Sequence, residues 1–422
     1  MSHPIVVRRS LLPVLAGAAV LAAAGTPAAA RAELVRIEVA QDGALLDGAS
    51  FGETGSYEKL AGRLYFAVDP QAAANRSIAD IAYAPTTAEG RVEFQADFYL
   101  LRPKDAKKAN GTLLFEVANR GGKGLFSMFD HGTNAADPAA AADVGDGFLL
   151  EQGYTLLWVG WQFDVPEGDG RVRVDVPAAT DHGRPIEGLV RSDFVVSAPA
   201  HDHSLGDRGH LAYPSADLAD REATMTVRDE AMSPRRAIPR EHWRFARVDR
   251  GRVVEDPRSV YLEEGFEPFK IYEVVYRSRN PAVAGLGLAA IRDAVSALEH
   301  EGADELGLPR GTLGRSIAFG LSQSGRLLRT FLYDGFNEDE QGRKVFDGVM
   351  AHLAGGARGS FNVRFAQPSR ASWSYFYPLE IFPFTDEVQT DPETSVSDGL
   401  LARVPEELRP KIFYTNSSNE YW

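Results

Sequence analysis

Phe319-Gly320-Leu321-Ser322-Gln323-Ser324-Gly325-Arg326 is the stretch on which the reading of this chain turns. The apolar run Ser316-Ile317-Ala318-Phe319-Gly320 enters it as a short buried strand. Leu327, Leu328, Phe331 and Leu332 leave it as the apolar face of a helix. A serine on so sharp a strand-to-helix turn is held clear of the sheet with strained backbone angles. Close packing of strand and helix demands small residues two before and two after it. Centred on Ser322, these are Gly320 and Ser324. Centred on Ser324, one is Arg326, which is too large. Ser322 is therefore the candidate nucleophile, and the N–H of Gln323, opening a helix N-terminus, is a candidate oxyanion donor. A lone Gly-x-Ser-x-small pattern also fits an ordinary tight turn with a capping serine. The surrounding rhythm favours the first reading.

That rhythm alternates strands and helices. Residues 33–103 are β-rich, with polar and apolar residues alternating over 91–98. Gly111 to Val117 reads as a short strand ending in Asn119-Arg120-Gly121-Gly122-Lys123, whose glycines permit close backbone approach. Gly121 and Gly122 are the candidates for the second oxyanion donor. Phe148-Leu149-Leu150 reads as part of a helix, and Tyr154 to Trp161 as a continuous apolar strand of the kind buried in parallel sheets. Ala284, Leu288, Ile291, Val295 and Leu298 mark one face of a helix, Val345 to Leu353 a strand, and Lys411 to Thr415 a last strand. Two stretches break the pattern. Residues 164 to about 283, rich in Asp, Arg, Pro and Gly, read as a β-subdomain or cap. Residues 357–408 carry Trp373, Tyr375, Phe376, Tyr377, Phe382 and Phe384. The fold class is thus α/β, a mostly parallel central sheet flanked by helices and dilated by two insertions.

Composition narrows the function. The 422 residues carry 45 Lys+Arg against 59 Asp+Glu, a net charge of −14, which argues against a binder of nucleic-acid phosphates. There is no cysteine, hence no disulfide, thiolate nucleophile or Cys-ligated metal. With 44% hydrophobic and 25% charged residues the chain is globular in composition. Arg8-Arg9, the apolar run Leu11 to Ala24 and Ala28-Ala29-Ala30 follow the order of a secretory signal. The run falls short of the roughly 20 residues that span a bilayer. The expectation is a signal over 1–30, a hydrolase domain over 33–422, and a periplasmic or extracellular protein with no membrane span after cleavage.

The chain resembles the exported α/β-hydrolase-domain proteins of bacteria. The resemblance rests on Glu116 to Lys123, Gln152-Gly153-Tyr154 with Gly160-Trp161-Gln162, Leu286 to Asp293, Gly320 to Arg329, Asp334 to Asn337 with Phe346-Asp347-Gly348, and Asn416 to Ser418 with Glu420 to Trp422. It implies the α/β-hydrolase fold and a Ser–His–acid triad, with no cofactor and no particular substrate. The partners would follow the serine in the order acid, then His. Residues 351–379 contain no Asp or Glu, so the first carboxylate after the last strand, Glu420, is the candidate acid; Asp386 and Glu387 are weaker alternatives. The resemblance places the base on a loop after one further strand, so the last strand and the His loop are expected to be missing from these 422 residues. His352, the one histidine after Ser322, reads as a packed residue.

The expected function is therefore an exported serine hydrolase, a carboxylesterase acting on a small-molecule ester. Two alternatives stay open. One is a hydrolase fold retained as a non-catalytic binding or interaction module. The other is a metal-dependent hydrolase centred on His201, His203 and His210, whose irregular segment presets no ligand geometry.

Overall fold

The computed structural model describes residues 33–370 and 381–421. The expected signal, and Trp373, Tyr375, Phe376 and Tyr377 of the second insertion, lie outside these residues. Eight principal strands form the central sheet: β1 (Leu34–Ala44), β2 (Gly55–Val68), β3 (Val92–Pro103), β4 (Thr112–Val117), β5 (Thr155–Val159), β6 (Arg315–Leu321), β7 (Gly348–His352) and β8 (Lys411–Thr415). Their order is β1-β2-β3-β5-β4-β6-β7-β8, with short strands Ser50–Phe51 on β2 and Val174–Asp175 on β3. The first three strands and β5 pair antiparallel; β5-β4-β6-β7-β8 pair parallel. The sheet is therefore mixed and mostly parallel on the side that carries the serine.

The reason lies in the side chains. Every residue of β4 and of β5 is buried, as strands covered on both faces must be. On one face Leu113, Phe115, Val117, Leu157, Val159, Ala318 and Val349 pack against helices α4 (Leu286–Ser296) and α5 (Gln323–Tyr333). The alternate residues Leu114, Leu156, Trp158 and Phe319 meet the short helices α1 (Leu125–Phe129), α2 (Ala141–Val144) and α3 (Phe148–Glu151) on the other face. Among the described residues no helix is long and apolar enough to cross a membrane.

The sequence marks one apolar face on α4, but the structure buries all of it. Its polar residues are matched internally. The Arg292 guanidinium donates to Asp293 Oδ1 at 2.6 Å, to the Ala74 carbonyl at 3.0 Å and to Asn75 Oδ1 at 2.8 Å. Burial pushes the Asp293 carboxyl up to about 6 even with Arg292 beside it.

Between β5 and α4 the chain builds, beside two two-stranded ribbons, two larger antiparallel sheets. Glu187–Val195, Ile271–Arg279, Thr224–Arg228 and Arg236–Ile238 form the first; Ala200–Ser204, Ser259–Phe266 and Trp243–Arg244 the second. They share a separate apolar cluster including Phe194, Met225, Trp243, Phe266, Tyr272 and Phe365. The second insertion supplies Phe365 and also Arg370, which donates to the Asp193 carbonyl at 2.9 Å and to Ser192 Oγ at 2.7 Å. Both insertions thus meet in one cap.

The buried pair on α4 makes a prediction. Asp293→Ala leaves Arg292 charged and unpaired in the core, and should cost about 3–5 kcal/mol of stability by denaturant unfolding. Replacing both residues, Arg292→Met with Asp293→Leu, should cost less than the single change.

Candidate active site

The sharp turn after β6 is the centre of the site. Ser322 caps α5 at φ 57°, ψ −110°, a region a side chain occupies only under strain of about 1–3 kcal/mol. The surroundings enforce it. The Ser322 N–H donates to the His352 carbonyl at 2.8 Å, and the Ser322 carbonyl accepts from the Arg326 N–H at 3.0 Å. A Cβ on Gly320 would lie 2.5 Å from the Ser324 carbonyl oxygen, so only glycine fits there. Ser324 is fully buried inside the first turn of α5, whereas Ser322 is half-buried at the turn itself. Of the two serines in the motif, Ser322 is the one a substrate can reach.

The loop after β4 is stitched to this turn. Asn119 Nδ2 donates to the Leu321 carbonyl at 3.0 Å, although the two lie 202 residues apart in sequence. The Gln323 N–H, in the first turn of α5, has no intrahelical acceptor and sits at the positive end of the helix dipole. Of the two loop glycines, Gly122 gives its N–H to the Asn119 carbonyl at 3.0 Å. Gly121, at φ 78°, is pressed so close to the Val172 carbonyl that a Cβ would lie 2.9 Å from it. This turn leaves the N–H of Gly121, rather than that of Gly122, as the loop donor to consider.

What holds the loop is a buried carboxylate that the motif reading did not single out. Glu116, on β4, points to the face carrying the short helices. Its oxygens accept from the Gly124 N–H at 2.9 Å, the Leu125 N–H at 3.0 Å and the Trp158 indole N–H. Burial pushes its carboxyl up to about 7. Lys123 next door donates to the Gly170 carbonyl at 2.7 Å and to the Ala136 carbonyl, and burial pushes its ammonium down to about 8. The far end of the loop is therefore fixed by two ionisable side chains out of water.

A ring of polar contacts ties the loop to the cap. The Arg120 guanidinium donates to Asn119 Oδ1 at 3.0 Å and to the Ser369 carbonyl at 2.7 Å. The Ser369 N–H donates to Asp164 Oδ2 at 3.0 Å, and Gln162 Nε2 to Asp164 Oδ1 at 2.6 Å. Gln323 Nε2 donates to the Pro368 carbonyl at 2.6 Å and to Gln162 Oε1 at 3.4 Å. Arg326, one helical turn after Ser322, is buried; burial and the nearby Arg120 charge bring its guanidinium down to about 10, with Glu420 acting in the opposite sense. Sequence reasoning passed over Arg120, Gln162, Asp164 and Arg326 as functional residues. Arg120, Gln162 and Arg326 stand inside the quoted motifs, and that was the available signal.

Glu420 lies in the short helix Ser418–Tyr421 after β8, against Gly355 on the loop after β7. It accepts from the Ser417 N–H at 2.9 Å and from the Ser417 hydroxyl, which hold its carboxyl below the usual range. It faces the Arg326 charge, on the same end of the sheet as Ser322. His352 Nδ1 pairs with Thr415 Oγ1 at 2.6 Å and its ring stacks near Phe319. Among the described residues no histidine hydrogen-bonds to Ser322 or to Glu420.

The His-rich segment of the cap does not converge. The His203 ring stacks on Phe194 with centroids 4.0 Å apart, His201 stacks on Tyr261 at 5.9 Å, and His210 turns to Asp207. Among the described residues no three His, Cys, Asp or Glu side chains gather as a metal site. A groove of about 1060 Å³ lined by Arg315, Lys344, Met350, Lys411 and Phe413 opens where β6, β7 and β8 begin. Ligands of open α/β sheets sit beyond the carboxyl ends of the strands, so this groove is at the wrong end for chemistry at Ser322.

Comparison with known families gives the same fold. Residues 224–422 match the family described as "Alpha/beta hydrolase domain". No curated protein matches the chain. The match and the mostly parallel sheet make this an α/β-hydrolase domain-containing protein.

The Glu116 clamp has a measurable consequence. Glu116→Gln should slow reaction at Ser322 by about 10–100-fold in kcat with little change in KM, because oxyanion donors act mainly in the transition state. Its pH signature follows from the raised carboxyl. A carboxyl at about 7 against an ordinary 4.5 contributes stability that is complete below about 4.5 and lost as pH rises through about 7. The slope of melting temperature against pH over that window should be shallower in Glu116→Gln.

Proposed function

We propose that this α/β-hydrolase domain-containing protein is a serine ester hydrolase with Ser322 as nucleophile. The observation that carries the reading is the strained, reachable Ser322 at φ 57°, ψ −110°, between a buried strand and the N-terminus of a buried helix. A carboxylic ester seated there would meet the Ser322 hydroxyl on one side. The N–H groups of Gln323 and Gly121 would stabilise the developing oxyanion. Attack would form an acyl-enzyme with departure of the alcohol, and water would then release the acid. Glu420 serves in this reading as the acid that orients the imidazole of a base. That base is a histidine which the described residues do not supply. The family match supports a hydrolase in general; the ester chemistry is the finer reading proposed here. Export, proposed from the signal-like residues 1–30, would place the activity in the periplasm or outside the cell.

A second reading is favoured by one observation. Since no described histidine bonds to Ser322, the fold could serve as a binding or interaction module without turnover.

One experiment separates the two. The purified full-length protein should hydrolyse short p-nitrophenyl esters and be labelled by a fluorophosphonate. Ser322→Ala should abolish labelling and lower kcat/KM at least about a thousandfold. Labelling that survives Ser322→Ala would sink the nucleophile reading. A folded full-length protein that neither turns over esters nor takes label would remove the hydrolase reading and leave the module.

A further inference from the structure

The loop beside the serine holds a second strained residue. Arg120 sits at φ 52° and Gly121 at φ 78°, and the Gly122 N–H closes the turn onto the Asn119 carbonyl at 3.0 Å. Asn119 and Gly122 face each other as an antiparallel bridge. Positive φ at both central residues defines a type I′ turn. Asn, Asp and Gly favour its first central position; arginine does not.

An ordinary residue followed by glycine has an easier alternative. In a type II turn the first central residue returns to φ of about −60°, while the second keeps its positive φ. The closing hydrogen bond is the same in both turns. They differ in the peptide unit between the two central residues, which is planar and turns over as one body. Here that unit carries the Gly121 N–H on one side and the Arg120 carbonyl on the other. Among the described residues the Gly121 N–H donates to no protein acceptor, while the Gly121 carbonyl is tied to the Val172 N–H at 3.0 Å. The conformation of Arg120 therefore decides which of the two groups points away from the rest of the loop.

The Arg120 guanidinium is placed to hold that conformation. It donates to Asn119 Oδ1 at 3.0 Å and to the Ser369 carbonyl of the cap at 2.7 Å, with Asp207 Oδ2 3.9 Å away. Asn119 in turn gives Nδ2 to the carbonyl of Leu321, one residue before Ser322. One end of the clamp is thus the cap and the other is the serine turn. A residue in a sparsely populated backbone region persists only where its surroundings over-determine it, and such residues gather at functional sites.

We propose that Arg120 is the positioning residue of the oxyanion loop: bound between Asn119 and the cap, its guanidinium keeps the 120–121 peptide turned so that the Gly121 N–H, and not the Arg120 carbonyl, is offered to the oxyanion. The proposal rests on Ser322 as nucleophile for its effect on turnover, and on the turn geometry alone for the clamp. It also couples the cap to the chemistry, since a cap that releases Arg120 lets the donor turn away.

The test sets Arg120→Ala beside Arg120→Asn in the full-length protein. Both lose the guanidinium and all its bonds, but asparagine tolerates the left-handed conformation and alanine does not. Arg120→Ala should lower kcat on p-nitrophenyl acetate about 100-fold with KM within about threefold, the scale of losing one oxyanion donor. Arg120→Asn should stay within about fivefold of wild type, because its turn preference replaces the clamp. The inhibition constant of a trifluoromethyl ketone, whose hemiketal oxyanion meets the same donors, should rise in step with the fall in kcat/KM. Crystal structures should show the 120–121 peptide turned over in Arg120→Ala and kept in Arg120→Asn. Equal losses in the two variants, no loss in either, or an unturned peptide in Arg120→Ala overturns the clamp and leaves the hydrolase reading intact. A peptide that turns over only in Arg120→Ala, in a protein that neither hydrolyses esters nor takes label, supports the clamp and removes the hydrolase reading.

Discussion

The hydrogen bond from the Ser322 N–H to the His352 carbonyl locks the turn after β6 into a backbone conformation that serine avoids in isolation. Much else follows from keeping it there. The β6–α5 junction must be tight enough that Gly320 faces the Ser324 carbonyl with no room for a side chain. That tightness is possible because β6 is held between β4 and β7, and because Leu327, Leu328 and Phe331 anchor α5 to the sheet without exposure. The loop after β4 can then be tied to the same point through Asn119. The strain is local and the support is spread over the whole parallel half of the sheet, the arrangement expected where conformation serves chemistry rather than stability.

Much of this was legible in the residues. Continuous apolar runs announced β4, β5 and β6, because a strand buried on both faces has no polar side to show. The small residues around Ser322 announced the turn, because close packing leaves few choices. The polar ring was not legible. Arg120 and Ser369 are 249 positions apart, and Asp164 and Ser369 are 205 apart; no local pattern records such pairings. The α4 helix misled in a different way. Arg292 and Asp293 lie off the apolar face the sequence marks, yet they are adjacent residues that pair sideways in the core and reach the Ala74 carbonyl and the Asn75 side chain. Periodicity reports which residues are apolar, not whether a polar one will find an internal partner.

The buried charges divide by use. Arg292 with Asp293 bonds within α4 and to Ala74 and Asn75, and serves packing. Glu116 and Lys123 hold the loop beside that turn. Arg120 and Arg326 flank it directly, two like charges kept close at some electrostatic cost. An acidic protein that keeps guanidinium groups out of water in one place is using them to fix geometry, since a surface position would have been far easier to solvate.

The cap closes its own apolar cluster, with Phe194, Met225, Trp243 and Tyr272 packed on one another rather than on the sheet. What crosses to the hydrolase core mixes polar bonds, Arg120 to Ser369, Ser369 to Asp164 and Gln323 to Pro368, with apolar contacts of Phe163 on Tyr213 and Phe361 on Trp161. Separating such a seam wets amides and carboxylates together with a few rings. Its heat-capacity change is accordingly smaller than that of melting either apolar cluster, which carries the large positive increment of exposed hydrocarbon. The free energy of the seam therefore curves less with temperature than that of the whole fold.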